Sequence, residues 1–182
     1  MPIKPKILSK KIVARSKLFC IESQQLEFSN GEQRDFERLL RSGKGGAVLI
    51  VPMLDDNTVL LVREYAAGVQ RYELGLPKGK IEADEDILDA ANRELKEEVG
   101  YGAKSLHHLT SLSIAPGYLE HMTDIILAQD LYPQKLPGDE PEELEVVPWK
   151  MDNLNALFAS DECTEARSIA ALFLIKEYLN AR

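Results

Sequence analysis

The run GKIEADEDILDAANRELKEEVGY, residues 79–101, constrains this chain more than any other stretch. Leu88, Ala91, Leu95 and Val99 recur at three- and four-residue steps, which predicts a helix with one apolar stripe, and Gly100 stands where a C-cap glycine belongs. At about 100 degrees per residue, Glu94, Glu97 and Glu98 fall on one flank of that stripe, with Glu98 nearest its apolar edge. A solvated acidic face is the usual explanation of such a run, but it fits poorly here. Glu94 and Glu98 are a like-charge pair one turn apart, at a cost of about a few tenths of a kcal/mol. They also sit in the last turns, where the helix dipole disfavours each anion by roughly 0.3 to 1 kcal/mol. Arg93 is spaced to pair with Asp89 and Glu97 while pointing away from Glu94 and Glu98, and Lys96 lies on the far side. A hard divalent cation, Mg2+ or Mn2+, is the natural neutraliser, because it takes carboxylate oxygens and is commonly shared with substrate phosphates.

Position by position, Gly79, Glu85, Arg93, Glu94, Leu95, Glu97, Glu98 and Gly100 resemble the signature of the Nudix hydrolases. Tyr101 departs from it, standing where the family usually has an aliphatic residue, and a tyrosine can fill the same half-buried place. The resemblance implies an α/β fold, the Nudix α/β/α sandwich with a mixed sheet, here preceded by an N-terminal antiparallel β meander. It implies that the Lys78 carbonyl joins Glu94, Glu97 and Glu98 as a metal ligand, and that Arg93 orients the glutamates. For Glu85, spacing alone suggests a group capping the helix N-terminus, and the resemblance gives it the task of holding loop and helix together.

The 182 residues, 45% of them apolar, suffice for one good core with a small appended element. A net charge of -8 leaves no basic field for a nucleic-acid backbone, which argues against a polymer, while a small anionic substrate stays open because bound metals invert the local field. Two cysteines, Cys20 and Cys163, read as thiols rather than a disulfide framework or zinc site. The basic N-terminus lacks the apolar core of a signal peptide, and the longest apolar run, residues 47–54, cannot span a bilayer, so a cytoplasmic protein is expected.

Along the chain, residues 6–40 read as short strands turning at Asn30-Gly31. The expected division is a meander over 1–43, which the resemblance makes part of a homodimer interface, and a catalytic domain over 44–182. The basic stretch over 41–47 lacks Walker spacing and reads as a linker. Arg41 faces substrate in one reading and solvent in the other. Residues 47–54 and 58–65 form a hairpin in a sheet covered on both faces. Arg63 and Glu64 at its end either emerge into solvent or, as the resemblance implies, line the nucleotide cleft. A strand over 72–77 leads into the bend at Pro77 and Gly79. Strands are expected over 106–114 and 123–130, and helices over 150–160 and 164–180. All three histidines read as non-catalytic.

Between those strands, Pro116-Gly117 makes a loop and Tyr118 can stack on a base or ribose face. That pattern resembles the ADP-ribose pyrophosphatase subgroup. An acidic loop follows over 139–145, and after it a short strand into Trp149 is expected. By itself the loop is a solvated one; in the subgroup a matching loop supplies a general base and an extra metal ligand, which by spacing puts the base at Glu140 and the ligand at Glu142. The reaction so implied is Mg2+-dependent cleavage of ADP-ribose, NADH or diadenosine polyphosphates to AMP and X-phosphate. Two alternatives stand beside it, a nucleotide-sugar (GDP-mannose) pyrophosphatase and a non-catalytic ADP-ribose-binding Nudix protein. The intact glutamate set argues against the second.

Overall fold

A computed structural model describes residues 2–41 and 45–181. It divides into two compact units, Met1–Lys44 with Ser113–Met122, and Gly45–Leu112 with Thr123–Arg182. The linker expected over 41–47 falls partly on residues 42–44, which lie outside the described residues.

In the first unit, β1 (Lys6–Arg15), β2 (Cys20–Glu27) and β3 (Gln33–Leu40) form an antiparallel three-stranded sheet in sequence order. The turn at Asn30-Gly31 is wider than a two-residue hairpin. Phe28 and Glu32 close it by a backbone bond of 2.9 Å, and Gly31 takes the left-handed conformation at φ +82°. The Asn30 side chain accepts from the Glu32 amide, 3.1 Å, the local bond that makes asparagine a turn former. Every residue of β1 is exposed, and its alternation is interrupted by two register shifts.

The second unit is built on a mixed sheet ordered β10-β5-β4-β9-β8, with β6 pairing β5 and β7 pairing β4. Its strands are β4 (Ala47–Asp55), β5 (Thr58–Ala66), β6 (Arg71–Gly75), β7 (Lys78–Lys80), β8 (Tyr101–Ser113), β9 (Met122–Pro133) and β10 (Glu145–Lys150). β4 runs parallel to β9 and antiparallel to β5 and β7. Alternation within the strands sorts the core into two layers. Leu49, Val51, Val59, Leu61, Ile125 and Leu127 pack with Leu154 and Leu157 of α2 (Leu154–Phe158) and with Ala171, Leu172 and Ile175 of α3 (Ala166–Asn180). Val48, Ile50, Leu60, Val62 and Ile126 face Ala90 and Ala91 of α1 (Ile87–Glu94), and Leu95 and Val99 of the π-helical turn Leu95–Val99 that extends it. The sheet is therefore covered on both faces, as its nearly continuous apolar strands require.

Two elements differ from expectation. The strand after the helix begins at Tyr101, immediately beyond the left-handed Gly100 at φ +80°, rather than at 106. The bend at LPKGK is itself a short strand, β7, because its backbone finds β4 as a partner. The short strand expected to run into Trp149 is β10, residues 145–150, paired with β5, and the helical segment follows from Met151. Among the described residues no helix is long and apolar enough to cross a membrane.

One detail of this packing positions the site. β4 and β5 pair only near their hairpin, at Met53↔Val59 and Asp55↔Thr58; farther on, β4 pairs with β7 and β5 with β6. The chain between β6 and β7 lies between the separated strands, anchored by Ile50 N to Pro77 O (2.9 Å) and by Leu76 N to the buried Ser168 Oγ (3.0 Å). Ser168→Ala leaves that buried amide without its acceptor. The substitution is expected to lower stability by about 1–3 kcal/mol, read as a fall in the urea midpoint at unchanged slope.

Candidate active site

The glutamates are set against β7 by two backbone contacts. A Cβ on Gly79 would lie 1.9 Å from the Glu94 carboxyl carbon, so only glycine lets that carboxylate rest on the strand. One position earlier, the Lys78 amide donates to Glu98 Oε2 at 3.0 Å. Glu94 and Glu98 are consequently buried, at 8% and 5% exposure, and Glu97 is half-buried beside them.

Arg93 organises the set. Its Nε and Nη2 donate to the two oxygens of Glu85 at 2.8 and 3.0 Å, Nη1 to Glu94 Oε1 at 2.8 Å and to Glu97 Oε2 at 2.9 Å, and Nη2 also to the Lys80 carbonyl at 2.9 Å. The expectation that Arg93 points away from Glu94 is corrected: its planar fork, at the end of a long stem, reaches the preceding loop and the adjacent glutamate together. Glu85 is likewise not the helix cap. That place is taken by Asp86, which accepts from Leu88 N at 2.8 Å, while Glu85 is the arginine's bidentate partner and accepts from Glu82 N. These bonds from Arg93 hold the Glu85 carboxyl below its ordinary range, and the carboxylates raise Arg93 in turn.

Glu94 and Glu98 move the other way. Burial is the largest cause for both, raising Glu94 despite Arg93 and pushing Glu98 up to about 8 despite the Lys78 ammonium and amide. Lys78 Nζ is ion-paired with Glu64 at the rim. Arg63, next along β5, instead directs its guanidinium to Glu145 (2.8 Å) and Glu162 (3.3 Å).

The acidic loop is tied at both ends. Gln134 N donates to Gly100 O at 3.0 Å and Leu136 N to Lys96 O at 3.1 Å, while Leu144 is buried in the layer beneath α1. A cavity of about 590 Å³ is lined there by Glu97, Gly138, Glu140 and Glu142 among others. Glu140 is half-buried, its Oε2 2.2 Å from where a Cβ on Gly138 would stand, a point itself 3.7 Å from Glu97 Cβ. Glu142 is exposed and accepts from the Tyr72 hydroxyl at 2.7 Å, a contact with no local sequence signal because the partners are 70 residues apart.

The remaining candidates belong to the first unit. Pro116 and Tyr118 lie on its 113–122 segment, where Tyr118 O accepts from Leu39 N at 2.7 Å and the Tyr118 side chain is exposed. Arg41 follows directly on β3. In the second unit, His108 Nε2 and Ser111 Oγ both contact Asp124 Oδ1, at 3.0 and 2.5 Å; with both aimed at one oxygen, this is no nucleophile–base–orienter chain.

Among the described residues no three acidic, histidine or cysteine side chains converge as metal ligands, since Arg93 draws in Glu94 and Glu97 while Lys78 N binds Glu98. The donors nevertheless fit a hard cation chemically. They are carboxylate oxygens crowded on neighbouring turns, and buried Glu98 is driven toward its neutral acid for want of sufficient compensating charge.

Residues 43–172 match the NUDIX domain, and residues 5–38 match the NudE-type Nudix hydrolase N-terminal domain. The chain is 50% identical to the ADP compounds hydrolase NudE of Escherichia coli (strain K12), over 98% of this chain and 95% of that protein. It is 27% identical to an ADP-ribose pyrophosphatase of Bacillus subtilis (strain 168), over 99% and 98% of the two chains. A solved crystal structure of an ADP compounds hydrolase superposes with a TM-score of 0.92 at 49% identity, covering 100% of this chain and 97% of that one.

The burial of Glu98 has a consequence for stability in metal-free protein. Its folded value near 8 lies above the ordinary 4.5, so between those values the folded state holds a proton that the unfolded chain has released. Stability from this group is full below 4.5 and is lost as pH rises toward 8. With chelator present, Glu98→Gln is expected to gain on the wild type across that window, by on the order of 2–4 kcal/mol at its upper end. Urea unfolding of both proteins at the two ends of the window measures it; a difference that does not change with pH contradicts the assignment.

Proposed function

The chain belongs to the Nudix hydrolases, and from that premise we propose that it cleaves the pyrophosphate of ADP-linked compounds, ADP-ribose, NADH and diadenosine polyphosphates among them, to AMP and X-phosphate. The observation that carries this reading is the pair of buried carboxylates, Glu94 and Glu98, resting on Gly79 and Lys78, a placement that calls for positive charge. The near-full-length likeness to an ADP compounds hydrolase supports the substrate class.

Glu94, Glu97 and Glu98, with the Lys78 carbonyl, would hold Mg2+ or Mn2+. Such an ion supplies neutralisation of the phosphoryl oxygens and lowers the pKa of an attacking water. Arg93 keeps Glu94 and Glu97 turned toward the substrate side of the helix and holds the loop before it through Glu85 and Lys80 O. Glu140 accepts the water's proton as the water oxygen bonds to phosphorus and the bridging oxygen leaves with the other phosphate. Within the second unit, Arg63 and Glu64 serve the substrate's base, ribose and phosphates; Arg41, Pro116 and Tyr118 are the first unit's substrate-binding candidates. Glu142, held through Oε1 by the Tyr72 hydroxyl, would offer its other oxygen to the metal as the additional loop ligand.

The same proposal makes the protein a cytoplasmic homodimer. Support for residence there is the two free thiols, Cys20 and Cys163. Support for the dimer is the first unit's exposed apolar surface, with Ile7, Leu8, Ile12, Val13 and Phe36 all open on a three-stranded sheet that has little core of its own.

Incubation with Mg2+ and ADP-ribose, NADH, diadenosine triphosphate or GDP-mannose, with products separated by ion exchange, is expected to yield AMP from the ADP-linked compounds. Glu98→Gln should keep its circular dichroism and lose about 10²- to 10⁴-fold in turnover. GDP-mannose as the preferred substrate, or tight ADP-ribose binding without turnover, defeats the proposal. Sedimentation velocity is expected to give a dimer.

A further inference from the structure

The loop over 137–143 offers several carboxylates to a site that needs one of them to take a proton, and its local chemistry separates them. Glu140 is followed by Pro141, which biases its backbone to extended conformations, and the missing Cβ of Gly138 lets its carboxylate fold back beside Glu97. Glu142, two residues on, lines the same cavity but is held by a bond from the Tyr72 hydroxyl at 2.7 Å. Tyr72 is itself held in place. It stands directly opposite Tyr65 in the β5–β6 pairing, and the two rings meet edge to face with centroids 5.5 Å apart. The Glu142 carboxylate that accepts this bond raises the phenol above its ordinary value.

We propose that Tyr72 is a positioning residue that tethers Glu142 and thereby leaves Glu140 as the loop carboxylate presented beside Glu97. It touches no reacting atom and acts through the loop. Without the tether, Glu142 is free to compete for the place that Glu140 holds, and the loop samples unproductive arrangements. This inference rests on the pyrophosphohydrolase reading and adds to it which residue sorts the loop acids.

The test compares wild type, Tyr72→Phe, Glu140→Gln and the double variant, with hydrogen exchange of residues 137–143 and with kcat and KM on ADP-ribose measured separately. Tyr72→Phe is expected to speed exchange in the loop and to lower kcat about tenfold with KM nearly unchanged. Glu140→Gln is expected to lose about 100-fold or more in kcat. The double variant should then be several-fold faster than Glu140→Gln alone, because the released Glu142 substitutes for the missing base. The positioning role is overturned if exchange and kcat are unmoved by Tyr72→Phe, or if its penalty multiplies that of Glu140→Gln as independent losses do. A wild type inactive on every ADP-linked compound overturns the functional reading and this inference together, a result separable from the others because it is read before any variant is compared.

Discussion

Two carboxylates buried one helical turn apart repel each other and have given up water, and much of the second unit can be understood as the means of holding them there. Arg93 is the principal compensation. Its donors reach Glu85, Glu94, Glu97 and a backbone carbonyl, which joins the loop before the helix to the helix's last turns by charge-assisted bonds. Those bonds stop short of Glu98, and Glu98 is the group whose carboxyl is pushed furthest toward neutrality. The imbalance is local and chemically informative, since a cation entering beside Glu98 gains more there than at a surface carboxylate.

The sheet makes room for this arrangement by failing to stay paired. Were β4 and β5 bonded along their whole length, there would be no gap for the chain that carries Lys78 and Gly79 to the helix. Their exchange of partners, to β7 and β6, brings backbone amide and missing side chain against Glu98 and Glu94 respectively. A doubly covered sheet thus supports both the helix with its fixed acids and the acidic loop, whose ends are tied to α1's extension and to the core. Acids fixed on a helix and one further acid carried on a loop suit a reaction in which charge must be held still while one proton moves.

Much of this architecture is legible in the amino-acid pattern. Apolar alternation predicts the hairpin of β4 and β5 and its double burial, the periodicity of Leu88, Ala91, Leu95 and Val99 predicts the helix, and Gly100 its left-handed end. Local spacing fails where a long side chain or a distant strand intervenes. Azimuth on a helical wheel describes where a Cβ points, so it misplaces Arg93, whose guanidinium bends back across the turn to Glu94. It assigns Glu85 to the cap that Asp86 occupies, because both residues sit at the right distance from the first turn. β7 is invisible to such patterns because three residues carry no period, and its existence depends on the free edge of β4.

The spacing of Gly79, Glu85, Arg93, Glu94, Glu97 and Glu98 is a covalent property of the chain, and with helical geometry it is enough to place acids beside an apolar stripe and to indicate a cation. Which carboxylates lose their water, which one the arginine leaves uncompensated, and which loop acid meets Tyr72 are properties of groups brought together from far along the chain. Desolvation and Coulomb energy depend on distance through space, so they come into being only when the sheet, helix and loop have packed.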